Sequence, residues 1–306
     1  MKKQVKIISL LLIIALAMVG CSTSDKDENS KPKVVVTTTI IADVIREIAD
    51  DLVDVEALMG PGVDPHLYKA SAGDVTKMSD ADMVIYNGLH LEGKMGEVFE
   101  SIKGKIIFAA NENLDESKLL DFESNPGYYD PHVWFDVQIW KTATERIAEG
   151  LIELDAENKA VYEENLSEYL KELDELDQYV RDRIEEVEKD KRILVTAHDA
   201  FSYFGREYGF EVRGLQGIST DAEAGTADVR ELANFIVEKE IKAIFVESSV
   251  PRKNIEALQE AVKAQGFDVE IGGELYSDST GDAGGPAESY VGTVKENIDT
   301  IVDALK

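Results

Sequence analysis

AENKAVYEENLSEYLKELDELDQYVRDRIEEVEKD, residues 156–190, contains neither glycine nor proline. Its apolar residues Tyr162, Leu166, Tyr169, Leu173, Leu176, Val180 and Val187 recur in alternating steps of three and four, with one gap at Arg183. That is the period of a helix carrying a single apolar stripe, and the dense charge between is its solvated face. A continuous helix of this length, lying between two regions of different texture, joins them stiffly. A glycine-rich linker would let them swing.

Outward from the helix, short β-branched runs alternate with helical stretches on both sides. On the amino-terminal side, KVVVT (33–37), residues 53–59, DMVIY (82–86) and KIIFA (105–109) read as strands, with a helix over residues 41–51. On the carboxyl-terminal side, RILVT (192–196), residues 211–215, KAIFVE (242–247) and, weakly, 269–271 read as strands, with a helix over 200–208. Their nearly continuous apolar content predicts parallel strands buried between helices. The spacing from Val36 to Ile85 nearly matches that from Val195 to Phe245, so two α/β lobes of similar plan are expected. The expected division is 33–155 for the first lobe, 156–190 for the linking helix and 191–306 for the second lobe.

The start of the chain reads as an export signal. Lys2, Lys3 and Lys6 precede an apolar run from Ile7 to Val19, too short to span a bilayer comfortably. The run ends at Met18-Val19-Gly20-Cys21, which resembles a bacterial lipobox, with methionine where leucine is usual. Residues 1–20 are thus an expected lipoprotein signal peptide, Cys21 the expected acylated residue, and 21–32 a polar linker. Cys21 is the only cysteine, which excludes an internal disulfide and a thiolate-cluster metal site. Net charge is −29 over the whole chain, and loss of residues 1–20, with three lysines and no acids, takes it to −32. So acidic a surface repels phosphate backbones, and no nucleic-acid partner is expected.

Chemistry concentrates in the histidines, of which there are four. His66 closes Gly60-Pro61-Gly62-Val63-Asp64-Pro65-His66, and His132 sits in Asp130-Pro131-His132, so two of the four share the tripeptide Asp-Pro-His. His198 follows the strand RILVT, at the sheet edge where open α/β folds place ligands. Neutral imidazole suits manganese, iron, zinc, nickel or copper, and the preceding proline fixes the backbone that presents each ring. Asp64 and Asp130 can hold a turn or orient a ligand ring, and both roles stay open. His90 reads as a surface or mouth residue after a strand, Glu247 as a polar strand end that could also support a ligand from behind but is left out of the site, and Trp134 and Trp140 as core packing.

Several segments together resemble one family. They are GPGVDPHLYKAS (60–71), GLHLEGKM (88–95), DPHVWFD (130–136), TAHDAFSYFGREYGFEVRGLQGIST (196–220), IFVESSVP (244–251) and IGGELYSDS (271–279). The chain resembles the TroA-like cluster of zinc- and manganese-binding lipoproteins of ABC importers, over essentially all of its mature length. The resemblance implies two lobes joined by a long helix, with one metal in the cleft. It also implies the ligands His66, His132, His198 and Asp278; nothing local singles out Asp278 in its YSDST loop. A lipid-anchored monomer on the extracytoplasmic face of the cell membrane, delivering its ion to an ABC permease, is the implied role. Residues 111–129 are acidic and free of histidine, unlike the His-rich loop of some zinc-dedicated relatives, which tilts the expected cargo toward manganese, with zinc next.

Three rival readings remain, one of them a lipoprotein that binds some other small solute. A zinc hydrolase also uses three histidines, but it keeps an open coordination position, and no HExxH or GxSxG motif is present. A surface adhesin needs partner-binding surface that no motif reveals. Histidine ligation also predicts that affinity falls as pH drops through about 6.5, the ordinary pKa of imidazole.

Overall fold

The computed structural model describes residues 30–122 and 125–306. The expected signal peptide and Cys21 lie outside the described residues. Four short strands make the first sheet: β1 (Lys33–Val36), β2 (Asp54–Ala57), β3 (Met83–Tyr86) and β4 (Ile106–Ala109). All pair in parallel in the order β2-β1-β3-β4. Val34, Val36, Met83 and Ile85 are buried on one face and Val35 and Val84 on the other, as a sheet covered on both faces requires. Around it lie α1 (Thr39–Ala49), α2 (Ala72–Asp80), α3 (Gly96–Ser101) and α4 (Val137–Leu154).

The second half repeats this plan with a weaker seam. The strands β5 (Ile193–His198) and β6 (Glu211–Gln216) form one parallel pair, and β7 (Ala243–Glu247) and β8 (Glu270–Leu275) another. Strands β5 and β7 lie side by side, so the spatial order β6-β5-β7-β8 mirrors the first sheet. His198 is the last residue of β5 rather than the first beyond it. Strand β8 is longer than the weak expectation over 269–271. Gly272 and Gly273 mask it in the sequence, yet side chains there would strike Ala304 and Thr300 of α9 (Tyr290–Leu305). The glycines let that helix lie directly on the strand. The remaining helices of this half are α6 (Ser202–Tyr208), α7 (Thr226–Glu238) and α8 (Lys253–Lys263).

The linking helix α5 runs Lys159–Ile184, preceded by a 3-10 turn at Ala156–Asn158. It is continuous over 26 residues but stops short of the expected residue 190. Ile184, not Arg183, carries the apolar stripe through the apparent gap, and it is buried. No glycine or proline marks this end. A side chain from beyond it serves instead: the buried Arg192 donates to Ile184 O at the helix end and to Val187 O just past it, both at 3.1 Å.

The stripe packs against α1, α4 and α9, elements of both halves. One apolar cluster accordingly includes Val36 and Ile85 of the first lobe, Leu173 and Leu176 of the helix, and Phe245 and Leu275 of the second lobe. Hydrogen bonds cross the same boundary: Tyr290 N–H to Asp43 Oδ2 (2.7 Å), Trp134 Nε1–H to Ser277 O (3.0 Å) and Tyr290 O–H to Trp134 O (2.7 Å). The two α/β lobes thus share one large apolar cluster, clasped by a single long helix, and each keeps a smaller cluster of its own.

Candidate metal centre

His198 and Asp278 stand at or just past strand ends, whereas His132 opens the 3-10 turn Val133–Phe135 that leads into α4. His66 follows the turn after β2, where Gly62, at φ +71°, comes so near Ser248 of the second lobe that a Cβ would sit 3.2 Å from its carbonyl oxygen. Asp64 Oδ1 accepts the His66 backbone N–H at 2.9 Å, and Asp130 Oδ1 accepts that of His132 at the same distance. The repeated Asp-Pro-His is therefore the same turn built twice, an aspartate closing onto the amide two residues on. His198 ends β5, and Asp278 lies just past β8.

The structure brings His66, His132, His198 and Asp278 together, with one ligand-capable atom of each within 4.8 Å of all the others. His132 Nε2 lies 3.2 Å from His66 Nε2, 3.4 Å from His198 Nε2 and 3.5 Å from Asp278 Oδ1; His198 Nε2 lies 3.7 Å from that same oxygen. These four separations are on the scale of the edges of a tetrahedral shell with bonds of about 2.1 Å, the length of a zinc–imidazole bond. All four residues are buried.

Neighbouring carboxylates orient the rings. Asp130 Oδ1 pairs with His132 Nδ1 at 2.7 Å, and Glu247 Oε2 pairs with His198 Nδ1 at 2.5 Å. Each pairing places Nδ1–H outward and turns Nε2 toward the centre. Glu247 also accepts the His198 backbone N–H at 2.8 Å, fixing ring and main chain at once. The sequence offers Glu247 as a strand end that could support a ligand but does not say which one. The pairing that gives it a role joins residues 49 apart. Asp64 differs from Asp130: it holds the turn and accepts from Thr220 Oγ1 at 2.7 Å, not from its histidine ring.

Asp278 is held at one oxygen only. Its Oδ2 accepts from Ser249 Oγ at 2.6 Å, while Oδ1, buried among three imidazoles, has no hydrogen-bond donor. Burial works to raise its pKa, but the positive charge of His198, His132 and His66 prevails and holds it well below the usual carboxylate range. Burial likewise lowers His66, to about 3, because no carboxylate pairs with its ring. For His132 burial is outweighed by Asp130 and Asp278, which lift it to about 10, and His198 is raised by Glu247 and Asp278. An ionised oxygen with no donor, faced by three imidazole nitrogens, is an arrangement completed by a small multivalent cation.

The other candidates lie apart. His90 is exposed, its ring 4.6 Å from that of Tyr128. Trp140 is buried, and Trp134 packs its ring edge-on against His132 at 5.3 Å. Among the described residues no other group of three or more histidine, cysteine or acidic side chains converges in this way, and no helix is long and apolar enough to cross a membrane.

Comparison with known proteins fits this geometry. Residues 34–304 match the family model of the zinc-uptake complex component A, periplasmic. The zinc-binding protein TroA of Treponema pallidum (strain Nichols) is 48% identical over 299 residues, covering 96% of each chain. The manganese-binding lipoprotein MntA of Bacillus subtilis (strain 168) is 44% identical over 303 residues, covering 98% of this chain and 99% of that one. A solved structure of the periplasmic zinc-binding protein TroA from Treponema pallidum superposes with a TM-score of 0.88 at 50% identity, covering 90% of this chain and 99% of that one. Taken with the shared core and the buried His-His-His-Asp cluster, these matches show that the chain belongs to the family of zinc-uptake complex component A, the metal-binding subunits that serve ABC importers.

Proposed function

We propose that the chain captures one divalent transition metal through His66, His132, His198 and Asp278 and delivers it to an ABC-transporter permease. The observation that carries this reading is the buried, donorless Oδ1 of Asp278 facing three Nε2 atoms. Four protein ligands close a tetrahedral shell, as a carrier needs; a hydrolase keeps a position for water. Relatives named for zinc and for manganese binding support a transported ion as the ligand. We read the lobes as residues 33–155 and 191–306, with 156–190 between them, acting as a monomer. Acylation of Cys21 would hold the protein at the extracytoplasmic face of the cell membrane, and Cys21→Ser is then expected to shift it from the membrane to the soluble fraction. Retention on the membrane would remove the anchor from the account.

The histidine-free stretch 111–129 favours manganese as the cargo, whereas the compact four-ligand geometry favours zinc on intrinsic affinity. In a competition between equimolar ions, zinc is expected to displace manganese from the purified protein, so that loading with manganese follows metal supply. Calorimetric competition checks this, and stronger retention of manganese would show selectivity beyond these four ligands.

The carboxylate partners also move the expected pH window. His132, at about 10, and the raised His198 hold a proton that a metal must displace, so protons compete above the 6.5 expected for free imidazole. Affinity is therefore expected to rise with pH well past neutrality and to fall steadily on acidification. Calorimetry in buffers of different ionisation enthalpy counts the protons released; a flat affinity above neutral pH would contradict this reading.

A further inference from the structure

A cavity that reaches His66 lies beside a contact between the lobes. Its volume is about 60 Å3, and it is lined also by His90 and Lys94 of the first lobe and Ser219 and Asp221 of the second. Two contacts join its walls: Lys94 Nζ lies 2.9 Å from Asp221, and the adjacent Thr220 Oγ1 donates to Asp64, whose other oxygen holds the His66 amide. An ion taken up by four buried protein ligands gives up its hydration water on the way in. An ion approaching His66 through this cavity exchanges that water for protein ligands there. His90 and Asp221 are the two groups on the walls, besides His66, with the chemistry to replace that water.

Building on the metal-binding function above, we infer that His90 and Asp221 form a transient capture site for the incoming divalent cation, with Lys94 holding the Asp221 carboxylate until the ion displaces it. The lysine ammonium is a stand-in for the metal: both are cations offered to one carboxylate. Lys94 and Asp221 are each substantially exposed, so the pair is weak enough to exchange. Capture at Asp221 draws on the second lobe and His90 on the first, so the ion arrives bridging the lobes, next to His66.

A simple latch and a capture site make opposite predictions. If the ion pair only holds the lobes shut, breaking it from either side speeds metal entry equally. If Asp221 ligates the arriving ion, Lys94→Met speeds association by freeing the carboxylate, whereas Asp221→Asn and His90→Ala slow it, each by about threefold to tenfold. Stopped-flow tryptophan fluorescence with Mn2+ reads these rates, since Trp134 packs against His132. Repeating the series in about 0.5 M salt screens long-range steering and leaves direct ligation in place. The expected result is opposite signs for Lys94→Met and Asp221→Asn, persisting in high salt, with His90→Ala following Asp221→Asn. Equal acceleration by both ion-pair variants, unchanged rates, or loss of the difference in salt would overturn the capture site. Failure of the unsubstituted protein to retain any metal would instead overturn the metal-binding function on which it rests.

Discussion

Asp278→Ala is expected to abolish retention of metal through dialysis, with affinity reduced by about two to four orders of magnitude. Asp278 is the only anion among the four converging groups, and its free oxygen points at three imidazoles without a donor. Removing one partner of a fully buried charged cluster costs roughly 3–5 kcal/mol, because the charge left behind has no counterpart and no water. Here the uncompensated charge is the cation itself. Glu247→Gln, which leaves all four ligands but weakens the orientation of His198, is expected to cost only about ten- to a hundredfold. Equilibrium competition with a chelator of known affinity ranks the two variants. Equal losses, or a larger loss for Glu247→Gln, would show that Asp278 is not a ligand.

The second large effect lies in the linking helix. Leu173→Ala is expected to destabilise the protein by about 2–5 kcal/mol, the range for a leucine removed from a packed core. Leu173 is buried in the cluster that takes in residues of both lobes. The loss should therefore appear in one cooperative transition rather than in one lobe. Far-ultraviolet circular dichroism follows the whole chain and tryptophan fluorescence follows the first lobe, where Trp134 and Trp140 lie; coincident denaturant curves are expected. Lys171→Ala, two residues away on the exposed face, should stay within about 0.5 kcal/mol of the parent. Two separated transitions would mean that the shared core does not couple the lobes.

Periodicity made the long helix legible because its stripe is uninterrupted. Its end was not, because the cap is the guanidinium of Arg192, supplied from the start of the next strand. Every expected strand is present: the central β1, β3, β5 and β7 are largely buried and read as apolar runs, while the edge strands β2 and β6 interleave exposed residues. Strand β8 was faint since two glycines replace side chains where α9 lies close. Of the site, His66 and His132 announce themselves through a repeated tripeptide, and His198 through its place at a strand end. Asp278 lacks any such local mark, being one acid in a loop, and its place follows from the resemblance and then from the geometry. Glu247 shows what linear reading misses: its role depends on β5 lying beside β7, a contact that no spacing within either segment encodes. Asp64 and Asp130 look interchangeable in the sequence, and only the fold separates them, one bonded to Thr220 across the cleft and the other to its histidine ring.

X-ray absorption at the zinc edge, on protein loaded with one equivalent of zinc and then dialysed, tests the central claim most directly. The account predicts one zinc per chain, surrounded by three imidazole nitrogens and one carboxylate oxygen at about 2.0–2.1 Å. Zinc lost on dialysis, or held in a six-coordinate shell of oxygen atoms, would contradict it.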